Sequence, residues 1–241
     1  WDSYGNLYVT FLTPRFSYVQ MLVSTDGGAT FAALPPLSGR FADRPSVAVG
    51  PNSVWVCYTD ATAHVVATGA AVTGLGQVGT FSSYAIPDSF DGDFGNIAVG
   101  PSGEVLVTYQ YGLTSGAGPD TIVTNLNPTG IGGTFGAAIT ATATQIGGGH
   151  YLPAQSNNEG IDAEANVVFD QSHGPHRGRA YLVYTDAPDP TSTATSIYLR
   201  YSDDRGATWS NPIQVTDDPG TNSKFLPSLS VDPITGAVGV A

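Results

Sequence analysis

Short apolar runs alternate with polar residues along the whole chain, and clusters of Gly, Pro, Ser, Thr and Asn separate them. One pattern recurs: a turn, then apolar residues at every second position, then an aromatic residue. Its copies are Gly5–Phe11, Asn52–Tyr58, Gly103–Tyr109 and Gly178–Tyr184, and a fifth, Gly236–Ala241, runs into the end of the chain. They start at 5, 52, 103, 178 and 236, with steps of 47, 51, 75 and 58. The period-two alternation predicts strands. A repeat of this length predicts propeller blades. Ahead of every copy but the first lies another apolar run closed by a turn: Pro45 to Val49, Asn96 to Val99, Asn166 to Phe169 and Pro227 to Val231. These read as the first, innermost strands, buried on both faces and joined by a hairpin to the second strand. The fourth repeat is the longest, with extra residues at Gln171 to Arg177 and at Ala187 to Ser196.

An octapeptide repeats as well. Ser24-Thr25-Asp26-Gly27-Gly28-Ala29-Thr30-Phe31 returns as Ser202-Asp203-Asp204-Arg205-Gly206-Ala207-Thr208-Trp209, so both read S-x-D-x-G-x-T-[FW] after an apolar strand. The Asp carboxylate is expected to accept backbone N–H bonds one or two residues on. The Gly of Gly28 and Gly206 permits positive φ, and the Thr hydroxyl bonds back across the turn. Phe31 and Trp209 are expected to plug the loop from beneath. Weakened copies, Gly76–Phe81 and Gly130–Phe135, keep the Thr-Phe tail without the Asp.

The octapeptide resembles the Asp-box (BNR repeat) of sialidase-type β-propellers, where it joins the third and fourth strands of a blade and is structural. The fold the resemblance implies is all-β, a propeller of four-stranded antiparallel blades. Such propellers are six-bladed, so the count predicts a partial, four-to-five-blade piece. Its blades fall roughly at 1–40, 41–89, 90–147, 158–218 and 224–241 within a single domain. If the Pro227–Val231 strand completed the first blade, the ring would close with four; the strand left over at the end argues against this.

Composition narrows the partners. The net charge is −12, with 8 Lys+Arg against 20 Asp+Glu. That excludes nucleic acid and anionic membrane as expected partners. No apolar run approaches the ~20 residues of a membrane span. The single cysteine, Cys57, sits in an apolar strand and reads as a buried small hydrophobe. Few lysines and much Thr, Ser, Gly and Asn point to a secreted bacterial protein; the resemblance implies a glycan or a cell-surface protein as partner.

The resemblance also implies a site in the central channel: an arginine triad on a substrate carboxylate, a Tyr/Glu nucleophile pair and an Asp acid/base. Guanidinium groups bind carboxylates bidentately, and glycoside cleavage needs a nucleophile with a proton donor nearby. The catalytic candidates are Arg44 and Asp43, in Ala42-Asp43-Arg44-Pro45, and Glu164 near Asp162. The family motif has an apolar residue between Arg and Pro, which this chain lacks. Arg177, Arg179 and Arg200 fall outside the inner strands, Arg205 is a solvated box position, and of the three glutamates, Glu104, Glu159 and Glu164, Glu104 takes an exposed hairpin position. Asp88, Asp91 and Asp93 flank Gly92 and offer hard oxygen donors for Ca²⁺. Their register departs from an EF-hand loop, so a solvated acidic loop and no cofactor are expected. Asp186 with Asp189, and Asp217-Asp218, are weaker still. His173 and His176 lie in one loop, His64 and His150 are isolated, and no metal is assigned. The expected function is an extracellular, non-catalytic binding or scaffold module, with glycans as one ligand class. The alternative is an exo-sialidase whose catalytic groups lie partly outside these residues.

Overall fold

The computed structural model describes residues 1–14, 18–112, 117–148, 151–153, 160–217 and 222–241. These residues form strands and turns only, arranged as a β-propeller with four blade sheets. Blade 1 holds β1 (Leu7–Leu12), β2 (Val19–Ser24) and β3 (Ala32–Ala33). Blade 2 runs β4 (Asp43–Gly50), β5 (Ser53–Thr59) and β6 (His64–Gly74), with a short ribbon β7 (Gln77–Val78) and an outer strand β8 (Ser82–Phe90) both paired to β6. Blade 3 is β9 (Gly92–Val99), β10 (Val105–Tyr111), β11 (Ala117–Asn127) and β12 (Ile139–Ile146). Blade 4 is β13 (Asn166–Phe169), β14 (Ala180–Asp186), β15 (Ser196–Ser202) and β16 (Ile213–Gln214). A hairpin, β17 (Leu229–Val231) with β18 (Val238–Val240), follows and packs on blade 4. Among the described residues β18 pairs with β17 and not with β1, so the sheets do not zip shut at that point.

The core lies in the seams between consecutive blades. Period-two alternation sends Val54, Val56 and Tyr58 of β5 to blade 1, and Trp55 and Cys57 to blade 3. The seam of blades 3 and 4 gathers Leu106, Ile122, Ile146, Leu182 and Tyr184. Both faces of a second strand therefore meet a neighbouring blade, and β5, β10 and β14 are buried along nearly their whole length. The sequence reading assigned that burial to the first strands. It holds in part: Ile97 to Val99 of β9 and Val167 and Phe169 of β13 are buried, whereas β4 is half-buried or exposed throughout, because first strands also present an edge to an open channel.

The octapeptide turns have the same bonding in both copies. The Ser24 hydroxyl donates to Asp26 Oδ1 at 2.7 Å and accepts the Gly28 N–H at 2.9 Å. The Asp26 carboxylate accepts the Thr30 N–H at 2.9 Å and the Thr30 hydroxyl at 2.6 Å. Ser202, Asp204, Gly206 and Thr208 repeat this at 2.7, 2.7, 2.8 and 2.6 Å. The carboxylate thus spans four residues rather than one or two, and the serine closes the inner turn. Those donors, the Thr30 hydroxyl foremost, hold the Asp26 carboxyl down at about 2. Asp204→Ala removes the same three bonds at a largely exposed site. We expect it to lower stability by about 1–2 kcal/mol, read as a lower urea midpoint at unchanged slope. A loss within error would show that solvent replaces the bonds.

The aromatic residues of the boxes in blades 2, 3 and 4 pack on the preceding blade. Trp209 joins the seam of blades 3 and 4, Phe135 that of blades 2 and 3, and Phe81 that of blades 1 and 2. Phe31 does not behave as a plug and is 41% exposed. No sheet precedes blade 1 among the described residues, and Val9 and Phe11 of β1 are exposed for the same reason. In the Gly130–Phe135 copy, which lacks the Asp, Asn127 does its work: it is fully buried and its side chain both accepts from and donates to the backbone of Gly130.

Candidate functional site

Strands β4, β9, β13 and β17 line a central channel, whose cavity of about 460 Å³ is walled by Val47, Ile97, Val167 and Leu229 with Trp1 beside them. At the end where these strands begin, each carries a non-glycine residue in the left-handed region. These are Arg44 (φ 52°), Phe94 (φ 57°), Glu164 (φ 45°) and Leu226 (φ 58°). They are equivalent positions, each two residues ahead of Ser46, Asn96, Asn166 and Ser228. Such residues cost about 1–3 kcal/mol of local strain each and cluster where a chain must aim a side chain. Four in register around one channel mark its mouth as the candidate site.

A polar belt fixes the strands just inside. The Asn96 amide donates to Ser46 Oγ at 3.0 Å and to Asn166 Oδ1 at 3.3 Å, and its oxygen accepts the Val167 N–H at 3.0 Å. The Asn166 amide continues to the Pro227 carbonyl at 3.3 Å. All four inner strands are thereby tied across the channel. Buried Gln110 of β10 reaches over from blade 3 and accepts the Ala163 N–H at 3.0 Å, which sets the backbone that carries Glu164.

The mouth is a cavity of about 300 Å³ whose lining includes Arg44, Phe94, Asn96, Glu164 and Asn166. Arg44 forms an ion pair with Asp93 and lies over the Phe94 ring at 3.7 Å. Asp93 also accepts the Thr59 hydroxyl at 2.8 Å. Asp162 is buried behind Glu164 and accepts its N–H at 2.6 Å. Burial, then the Glu164 charge beside it, pushes the Asp162 carboxyl up to about 7, against a smaller pull from Arg44. Burial raises Glu164 as well, and Arg44 pulls it back. Both carboxyls are thus shifted upward, Asp162 the further buried of the two.

Of the sequence candidates, Arg44 and Glu164 reach the mouth, joined by Asp93. Asp43 turns its carboxylate back to the Arg44 N–H at 2.8 Å. The three proposed Ca²⁺ ligands diverge. Asp88 accepts the Ala138 N–H at 3.3 Å, Asp93 faces Arg44, and Asp91 is an exposed turn residue. Among the described residues no group of three or more His, Cys, Asp or Glu lies close enough to hold a metal. The expected solvated loop is instead the end of β8 and the start of β9. Glu104, expected exposed, is 3% exposed and accepts the Ser102 N–H. Cys57 is fully buried, which pushes its thiol up to about 12. Asp186 caps the Gln145 and Ala187 N–H groups, and Asp189 that of Thr191. His64 packs against the Phe90 ring, tilted by 54° at 5.3 Å. Glu159, His150 and Asp218 lie outside the described residues.

Among the described arginines Arg44 alone lines the channel mouth. Arg179 pairs with Asp203, Arg200 donates to the Ser210 carbonyl, and Arg177 to those of Gln171 and Ser172. The belt Ser46–Asn96–Asn166 escaped the sequence reading, although a small polar residue recurs at that position in every repeat.

No protein-family model and no curated protein sequence matches the chain. Solved structures do. A thermostable family-43 glycoside hydrolase is similar at TM-score 0.52 and 12% identity, over 100% of this chain and 80% of that one. The sialidase NanB from Streptococcus pneumoniae is similar at TM-score 0.58 and 13% identity, over 92% of this chain but 32% of that one. The α-L-arabinanase of Penicillium chrysogenum, solved with arabinobiose, is similar at TM-score 0.51 and 12% identity, over 96% and 64%. The fold is thus a sialidase-type β-propeller, shared with propeller glycosidases, and no helix is long and apolar enough to cross a membrane among the described residues.

Proposed function

We propose that this propeller is an extracellular glycan-binding module that takes a neutral saccharide at its channel mouth without cleaving it. One observation carries the reading: of the carboxylates at the mouth, Asp93 is held in an ion pair by Arg44, and among the described residues lining the cavity Glu164 is the remaining one. Most glycoside hydrolases use two carboxyl groups flanking the scissile bond; here Asp93 is tied to Arg44 and Asp162 is buried behind the wall. What the mouth offers is a sugar-binding set: amides, a serine hydroxyl, one carboxylate, a guanidinium and the Phe94 ring. The solitary, already paired Arg44 argues against a carboxylate clamp for sialic acid.

Calorimetric titration with arabinobiose, galactobiose and sialyllactose tests this. Neutral disaccharides are expected to bind, and Glu164→Gln to weaken them by about ten-fold, the worth of one charge-assisted hydrogen bond. Sialyllactose should bind no better. A second reading, glycoside hydrolysis, draws on Asp162, whose raised carboxyl would remain a proton donor at neutral pH. Release of reducing sugar from any probe, lost in Asp162→Asn, would replace the first reading by the second.

A further inference from the structure

The opposite face of the disc carries a cleft with a different chemistry. First and third strands run the same way, so their ends, the first hairpins and the octapeptide turns, gather there. Between blades 3 and 4 these turns enclose about 360 Å³, with Pro101 on one side and Pro175, His176, Arg177 and Arg179 on the other. Arg205 of the second octapeptide completes it. A chain with 8 Lys+Arg and a net charge of −12 has placed three arginines in one cleft.

These arginines are not equally engaged. Arg179 is used: its guanidinium meets the Asp203 carboxylate at 2.7 and 3.0 Å and stacks on Tyr201 at 4.2 Å. Arg177 is held by one nitrogen, which donates to two carbonyls at 2.7 and 2.9 Å, and the residue is exposed. Neither Arg177 nor Arg205 has a carboxylate in ion-pair reach among the described residues. Glu104 in the same cleft is occupied with the Ser102 N–H.

Arg205 adds an independent observation. Its backbone is left-handed, φ 61°, and the equivalent residue of the first octapeptide is Gly27, φ 76°. The turn requires a conformation that glycine adopts freely and arginine does not. Strain kept in one copy and avoided in the other points to a use for the side chain. Arg205 also borders an apolar groove along Leu106, Leu126 and Ile139.

We propose that this cleft is an oxyanion site that takes the sulfate or carboxylate groups of an acidic polysaccharide. Arg177 and Arg205 bind the anion bidentately. The proline rings and the adjoining groove accept the apolar C–H face that a sugar ring presents beside its charge. The site lies across the disc from the channel mouth, so the two load independently.

The test uses the intact protein and three probes at low salt: dextran sulfate oligosaccharide, oligogalacturonate and uncharged dextran, with inorganic sulfate as competitor. The charged saccharides are expected to bind and dextran not. Arg205→Gly and Arg177→Ala should each weaken binding about ten-fold, and about 0.5 M NaCl should weaken it further. Arg205→Gly should melt at the same or a higher temperature than the parent. Arg205→Gly with unchanged affinity and a lower melting temperature would make Arg205 a turn residue and overturn the proposal. So would binding of neither polyanion, or inorganic sulfate bound as tightly as the saccharides, which leaves a simple ion site.

Discussion

Trp55→Ala is expected to cost about 3–5 kcal/mol, the largest single loss in the molecule. Trp55 is fully buried in the seam between blades 2 and 3, at 4.8 Å from the Tyr84 ring and 6.4 Å, edge-on, from Phe135. Its cross-strand partner is Gly69, where any Cβ would fall 2.6 Å from the indole. The site is built around the ring on every side, so alanine leaves a cavity that rigid neighbouring blades cannot collapse into. The indole N–H has no partner among the described residues. Trp55→Phe therefore keeps most of the packing and removes an unpartnered donor, and it should cost less than half as much. Urea unfolding of both variants reads the contrast. Equal losses for Phe and Ala would mean that the indole N–H is bonded, or that the seam tolerates voids. The prediction matters beyond this residue, because seams are the only core a propeller has.

The alternation that places Trp55 is legible in the sequence, since neighbouring residues of β5 go to opposite seams. The octapeptides identify the third-to-fourth strand turns for a similar reason: their Ser, Asp, Gly and Thr each have one local hydrogen-bonding job, and local jobs leave local signals. Phe31 shows the limit. Its sequence context matches that of Trp209, and its burial depends on a neighbouring sheet that the pattern cannot supply. Glu104 was misjudged likewise, because a hairpin position is exposed only if no other blade covers it. The channel mouth was the least legible part. Arg, Phe, Glu and Leu have no chemistry in common, and what unites them is a backbone angle set by the convergence of four strands. Arg44 and Glu164 could be picked out as charged residues near inner strands; the quartet they belong to could not. Asp162 was noticed only as a neighbour, since its unusual acidity arises from burial in the assembled fold and from the Glu164 charge beside it.

That acidity gives the second large effect, a stability that falls with rising pH. The Asp162 carboxyl sits at about 7 in the folded protein, against an ordinary 3.8. Below about pH 4 it is protonated whether the chain is folded or not, and its burial costs no charge. Between about 4 and 7 the folded protein holds a proton that the unfolded chain has released, so stability declines as pH rises. Above 7 the buried carboxylate exerts its full cost, on the order of a few kcal/mol. Asp26 and Asp60, held below the usual carboxylate range, act with the opposite sign: they lose their contribution as pH falls. The net profile mixes both, and Asp162→Asn separates them. The asparagine oxygen can still accept the Glu164 N–H, so the turn is kept while the charge is removed. The variant should melt well above the parent at pH 8 and close to it at pH 4. Glu164→Gln should shrink the parent's decline without abolishing it, because burial outweighs the Glu164 charge as the cause. A difference between Asp162→Asn and the parent that is the same at pH 4 and pH 8 would refute the buried proton, and with it the acid–base role on which a hydrolytic reading of the channel mouth depends.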